Sequence, residues 1–256
     1  MSPLRMSVLA AGLIYGTTVA VQAAEVVKVS LSPWCPYICT DPVKPGALIE
    51  TITAAFATKG LQVRYIDVPW TRQIAMVRKG EVDAMSGVGK ADVPDLVFPA
   101  RSTGRYQPCF YTLANSTWQY EGIPSLKNIR LSVLKDTTFS KEVDEYINGE
   151  GKRSGKVDFL HDEDYLTQHF RKLEAKRVDV VLDDATVVNH FLNEKRLAKP
   201  RQAGCLKASA LWLGFSPVGK NTKTYLAAYE QGLETIRKSG QLKAILGKYG
   251  IDELSF

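Results

Sequence analysis

The sequence predicts an α/β protein of two lobes, each a mostly parallel sheet flanked by helices. A strand–helix rhythm runs through the first part of the chain, breaks after Gly87 and resumes from Ser125. The phrase Val77-Arg78-Lys79-Gly80-Glu81-Val82-Asp83-Ala84 is echoed by Leu173-Glu174-Ala175-Lys176-Arg177-Val178-Asp179-Val180, and both run helix end, basic turn, Val-Asp, strand. A last strand and two helices near the end need a sheet to pack on, so the chain is expected to return to the first lobe near Leu211. The predicted division is 24–115 for lobe 1, 116–209 for lobe 2 and 210–256 for the return.

Each element has its own warrant. Val27, Val29 and Leu31 alternate on one face of a first strand, and Ser32 to Pro45 is a loop rich in proline and aromatics. Leu48, Ile49, Ile52, Ala55 and Phe56 share one face of a helix that Gly60 ends. Leu61 to Ile66 is a strand, Pro69 opens a helix closed by Gly80, and Val82 to Met85 is a third strand. Cys109 to Leu113 reads as a strand after an irregular stretch. Strands then follow at 129–134, 157–160 and 178–182, and helices at 138–147, 165–174 and 185–193. Leu211 to Phe215 is the final strand, and helices span 222–238 and 241–249.

The 256 residues carry a net charge of +6, and hydrophobic residues make up 45%. That composition is ordinary for a globular chain and excludes collagen-like, disordered and coiled-coil classes. Basic residues fall singly or in pairs, never in the run that marks a nucleic-acid arm, so no nucleic-acid partner is expected. Residues 1–23 read as a signal peptide. Arg5 supplies a positive start, Val8 to Val21 is uncharged, and Val21-Gln22-Ala23 offers a cleavage site. At about fourteen residues the apolar stretch is short of the roughly twenty that span a bilayer. The mature protein is therefore expected to be exported and soluble, and it is taken to be a monomer.

Export into an oxidising compartment points the four cysteines toward disulfides. Cys35 and Cys39 are near enough for a local loop, which would leave Cys109 with Cys205, although four cysteines allow three pairings. The redox reading of Trp34-Cys35-Pro36-Tyr37-Ile38-Cys39 is weaker, because the redox motif has two residues between its cysteines and this segment has three. His161, His169 and His190 show no metal-ligand spacing. No cofactor motif and no Ser-His-Asp or Cys-His set stands out.

Over nearly all of the mature chain, about Val27 to Ile251, the sequence resembles the family 3 solute-binding proteins of bacterial uptake systems. The resemblance rests on landmarks in order: Trp34, Pro36 and Tyr37 after the first strand, Gly46-Ala47-Leu48-Ile49-Glu50, Pro69-Trp70, Lys79-Gly80-Glu81-Val82-Asp83-Ala84, Phe98-Pro99, Arg177 to Asp183, and Ser239-Gly240 to Tyr249-Gly250. It implies a type II periplasmic binding fold and a small amino-acid-like ligand, held between the lobes and passed to an inner-membrane ABC transporter. Trp34 and Tyr37 would sandwich the ligand or pack their loop, and Trp70 has the same two options. Ser86 and Gly87 would offer polar groups after the third strand. Thr137 and Thr138 would stand at a helix N-terminus that binds a carboxylate, and Asp183 would bind an ammonium group or cap the next helix. Asp83 and Asp179 read as structural turn residues.

One departure matters. The family's Thr-x-x-Arg is replaced by Val88-Gly89-Lys90-Ala91-Asp92-Val93-Pro94-Asp95. Arg72, Lys90 or Arg101 would have to supply the missing cation, or else remain on the surface. Two other function classes stay open: a periplasmic dehydratase-like enzyme using Asp183 or His190, and an accessory or sensory module that kept the clamp.

Overall fold

A computed structural model describes residues 25–135, 137–161 and 164–251. The signal-peptide reading of residues 1–23 lies outside them. Among the described residues no helix is long and apolar enough to cross a membrane.

The chain first builds one sheet. Strand β1 (Val26–Leu31) pairs in parallel with β2 (Gln62–Asp67) and β3 (Ala84–Val88), with helices α1 (Ala47–Ala57) and α2 (Trp70–Lys79) as crossovers. Two short strands follow, β4 (Gly104–Tyr106) and β5 (Pro108–Thr112), separated by Gln107 alone. After a short helix α3 (Ile123–Leu126) come β6 (Leu131–Leu134), α4 (Lys141–Tyr146), β7 (Val157–Leu160), α5 (Tyr165–Glu174), β8 (Val180–Asp184), α6 (Ala185–Lys195) and β9 (Arg201–Cys205). Strand β10 (Ser209–Phe215) and helices α7 (Thr222–Lys238) and α8 (Gln241–Lys248) complete the order.

The two sheets run β2-β1-β3-β10-β4 and β7-β6-β8-β5-β9. In each sheet four strands run one way and a single strand, β10 or β5, runs against them, so each is mixed. In both, the fourth strand of the row comes from the chain portion that leaves or re-enters the other half. Strand β10 pairs with β3 and β4 of the first sheet. Strand β5 pairs with β8 and β9, so the first crossing falls at Gln107 and not after residue 115. The second lies at residues 206–208.

The internal echo has a physical basis. Lys28 donates its backbone N–H to Asp83 Oδ2 (2.8 Å), and Asp83 N–H returns to the Lys28 carbonyl (2.9 Å). Arg130 does the same with Asp179 at 2.8 and 2.9 Å, and its guanidinium grips that carboxylate as well. In each lobe a Val-Asp turn thus fixes the start of the neighbouring strand and sets the register of the parallel pair.

The cores are separate for the most part. Leu48, Ile52 and Phe56 of α1 pack with Tyr225, Tyr229 and Ile236 of α7 over β1 and β10. Phe110, Leu126, Leu131, Val143, Val180 and Leu182 fill one face of the second sheet, and Tyr111, Phe170, Val181, Val188 and Phe191 fill the other. Burial of each large apolar side chain contributes about 1.5–3 kcal/mol.

Candidate functional site

The loop after β1 is one part of the first lobe that reaches the second. Trp34 and Ile38 exchange backbone hydrogen bonds (2.6 and 2.9 Å), and a Cys35–Cys39 disulfide closes the ring. The free N–H groups at the start of α1 hold this loop: Ala47 donates to the Pro36 carbonyl (2.9 Å) and Leu48 to the Tyr37 carbonyl (3.0 Å). Gly46 sits between them at φ 112°, where a Cβ would lie 2.3 Å from the Tyr37 oxygen, so only glycine fits.

Trp34 and Tyr37 do not stand apart as the walls of a sandwich. Their ring centroids are 4.6 Å apart, and Trp34 lies 5.7 Å from Tyr106. Tyr37 is fully buried, and its hydroxyl donates to the Arg105 carbonyl (2.7 Å) and, more weakly, to Asp184 Oδ1 (3.4 Å). Cys35 Sγ lies 3.3 Å from His190 Nε2 on α6. One ring of lobe 1 therefore touches lobe 2 through two side chains.

Asp184 organises the hinge. Its Oδ1 accepts the N–H groups of Thr186 (2.9 Å) and Val187 (3.0 Å), capping α6, and its Oδ2 accepts the N–H of the crossing residue Gln107 (2.8 Å). Ala185 N–H returns to the Gln107 carbonyl (2.9 Å). The helix cap is thus Asp184 and not Asp183.

Asp183 points the other way, toward α5. Its Oδ1 accepts the Asp184 N–H (2.7 Å), while Oδ2 lies 3.9 Å from His169 Nε2, and neither of those two atoms has a hydrogen-bond partner. Burial raises the Asp183 carboxyl to about 7, the neighbouring Asp184 charge adding to the effect, and burial holds His169 low at about 3. Around neutral pH the nominal ion pair is therefore largely a neutral imidazole beside a half-protonated acid. His169 Nδ1 meets Ser132 Oγ at 2.9 Å, and Ser132 is wholly buried, so this Ser-His-Asp trio lies inside the core.

A folded-state value above the ordinary one means the native protein binds the extra proton. Stability from Asp183 is complete below about pH 4 and is lost as pH rises toward and through about 7. Asp183→Asn should flatten this part of the pH profile and raise the urea midpoint at pH 8. A variant whose midpoint still falls in parallel with the parent would show that another group carries the slope.

The seam is closed at its mouth. Thr138 Oγ1, from the loop after β6, donates to Asp92 Oδ1 of the first lobe (2.6 Å), while Asp92 Oδ2 accepts the Gly89 N–H (3.0 Å). Beside it, beyond the carboxyl ends of β6 and β7, opens a pocket of about 470 Å³. Its walls include Lys135, Thr137, Thr138, Phe139, Asp144 and Lys152. Burial lifts the Asp144 carboxyl to about 6, against the Phe139 N–H that it accepts at 3.0 Å. Thr137 and Thr138 precede the helix rather than open it, because α4 begins after Ser140, whose hydroxyl caps Val143 N–H.

The three substitute cations separate. Lys90 lies just past β3 with its ammonium 4.6 Å from the Trp212 ring centroid and 5.7 Å from that of Phe98, two residues from Asp92. Arg101 pairs with Glu234 on α7 (3.8 Å), away from the seam. Arg72 is exposed on α2, and Trp70, at the start of that helix, packs on the small core formed by Val77, Met85 and Leu96. Ser86 is buried with its hydroxyl unpartnered, and Gly87 takes φ 75° beside Leu48 and Ile38. Sequence reasoning missed Lys135, Asp144 and Lys152, which carry no motif, and Asp184, which stands one place beyond the residue that reasoning chose.

No family model matches the chain, and no curated protein does either. Solved structures do. A histidine kinase sensor domain with similarity to periplasmic binding proteins superposes with a TM-score of 0.70 at 17% identity, covering 88% of this chain and 96% of the other. The arginine-, lysine-, histidine-binding protein ArtJ from the thermophilic bacterium Geobacillus stearothermophilus gives 0.68 at 17%, over 88% and 94%. The ancestral amino acid-binding protein AncCDT-1, a precursor of cyclohexadienyl dehydratase, gives 0.64 at 13%, again over 88% and 94%. This chain has the two-lobed α/β fold of the periplasmic binding proteins.

Proposed function

We propose that the chain is a non-enzymatic solute-binding protein of the family 3 kind, which captures a small polar or amino-acid-like ligand between its lobes in the periplasm. An inner-membrane ABC transporter would receive that ligand. The observation that carries this reading is a pocket beyond β6 and β7, lined by second-lobe residues, whose Thr138 reaches across to Asp92 of the first lobe. Its volume falls in the range of small-molecule sites, and open α/β sheets bind ligands at the carboxyl ends of their strands. Threonine hydroxyls, two lysines and Asp144 give it partners for both ends of a zwitterion.

Lys90 is the best placed of the three candidates for the missing carboxylate grip. Stacking on Trp212 and Phe98 restrains its ammonium next to the seam, where closure excludes water and strengthens a charged contact. Lys90→Ala should therefore weaken a carboxylate ligand roughly 10- to 100-fold, the usual worth of a hydrogen bond to a charged group. Calorimetric titration with hits from a thermal-shift screen of amino acids and small acids measures this. Undiminished affinity removes Lys90 from the site, and a screen without hits counts against the binding role itself.

A sensory role is the second reading, favoured by the likeness to a kinase sensor domain. A hit that stabilises the protein, and whose uptake is unchanged in a strain lacking this chain, would favour it. Turnover of a hit would instead favour the enzyme reading.

A further inference from the structure

The ring closed by Cys35 and Cys39 does something that neither a loop staple nor a ligand wall requires. Cys35 Sγ is 3.3 Å from an imidazole nitrogen of the opposite lobe, that of His190. Cys35 and Cys39 are both half-buried, whereas the second disulfide pairs a half-buried Cys205 with a fully buried Cys109. Between the two ring cysteines sits Tyr37, whose hydroxyl reaches Arg105 and the hinge carboxylate Asp184.

We propose that the Cys35–Cys39 disulfide is a thiol-exchange site coupled to the closure of the lobes, with a dithiol reductant as co-reactant. One thiolate of the reductant attacks Cys39 Sγ. The Cys35–Cys39 bond breaks, a mixed disulfide forms on Cys39, and Cys35 leaves as a thiolate beside His190 Nε2, which donates a hydrogen bond or a proton to it. The second thiol of the reductant then attacks the mixed disulfide, Cys39 leaves and is protonated by solvent, and the reductant departs as its own disulfide. Two electrons have passed to the ring. A donor placed on the departing sulfur speeds exchange, since a leaving thiol of lower pKa leaves faster.

Opening the ring removes the constraint that holds Tyr37 at the hinge and Cys35 on α6. Both contacts that the ring makes with the second lobe are weakened together, so the reduced protein is the more open form. The disulfide thus acts as a chemical clasp between lobes. The choice of His190 as its partner explains why a half-exposed histidine of α6 faces a sulfur of the other lobe.

The mature protein is treated with graded dithiothreitol, quenched with iodoacetamide, and mapped by peptide mass spectrometry. Cys35 and Cys39 should become alkylated well before Cys109 and Cys205. His190→Gln and His190→Ala should each slow that step roughly three- to tenfold, the effect of about one to two pKa units on a leaving thiol. X-ray scattering of the selectively reduced protein, and of the Cys35→Ser/Cys39→Ser variant, should give a larger radius of gyration than the oxidised parent. Unchanged reduction rates in both His190 variants overturn the exchange site. Equal radii for the oxidised and selectively reduced parent overturn the coupling to closure.

Discussion

Asp184→Ala should cost roughly 3–5 kcal/mol of stability. The carboxylate satisfies three backbone N–H groups, those of Gln107, Thr186 and Val187, and takes the Tyr37 hydroxyl as a fourth, longer contact. Each buried donor left without a partner costs about 1–3 kcal/mol, although water entering at the hinge would relieve part of it. Loss of the helix cap alone is worth about 1 kcal/mol. Urea unfolding measures the total. Asp184→Asn keeps one acceptor for the cap and should recover about half, while still setting an amide against the Gln107 N–H. If alanine cost under 1 kcal/mol, Gln107 would not depend on this carboxylate at all. Loosening the crossing should also broaden the distribution of lobe orientations, which scattering would register as a larger mean radius.

Removing the second disulfide should have a comparable effect by a different route. Cys109 and Cys205 face each other across β5 and β9, at a sequence separation of 96. In the chain-entropy description, a closed loop of that length is worth about 4.7 kcal/mol through the unfolded state. Cys109→Ser/Cys205→Ser should therefore lower the urea midpoint sharply while leaving the folded circular dichroism spectrum unchanged. The pair also lies just inside both crossings between lobes, with the Leu206 N–H on the Pro108 carbonyl (2.9 Å). Losing it should increase hydrogen exchange of the β5 and β9 amides before any other strand. Uniform exchange across both sheets would place the staple's effect in the unfolded chain alone.

Much of the fold could be read from periodicity because parallel strands and their crossover helices leave long apolar signatures. Leu48, Ile52 and Phe56 on α1, and Val180 to Leu182 on β8, could hardly be read otherwise. Strands β4 and β9 left no such trace. Gly104-Arg105-Tyr106 and Arg201-Gln202-Ala203-Gly204-Cys205 are edge strands in which only part of each face is buried, so their pairing is decided by the sheet they join. Strand β5 was visible as a strand, yet nothing in its residues says which sheet it enters.

The site was less legible for the same reason. A hydroxyl after a strand and a threonine before a helix mark plausible positions, but the seam is defined by contacts across long separations, such as Asp92 with Thr138 and Cys35 with His190. Asp183 and Asp184 are neighbours with opposite surroundings, one facing the buried His169 of α5 and the other a ring of N–H donors. Only their place on the pleat distinguishes them, and a one-residue shift exchanges the two roles.

The two crossings lie side by side, and everything from Pro108 to Cys205 is one uninterrupted stretch of chain whose ends are bonded to each other. Such a segment begins and finishes at a single point, so excising it cuts the core only where Val187, Tyr106 and Leu211 pack across the seam. Expressed alone, it should fold into its own five-stranded sheet, and a short Gly-Ser bridge in its place should leave the remaining half intact. Nature or an engineer could then exchange that half for another of the same neck geometry, altering what is gripped without rebuilding the rest.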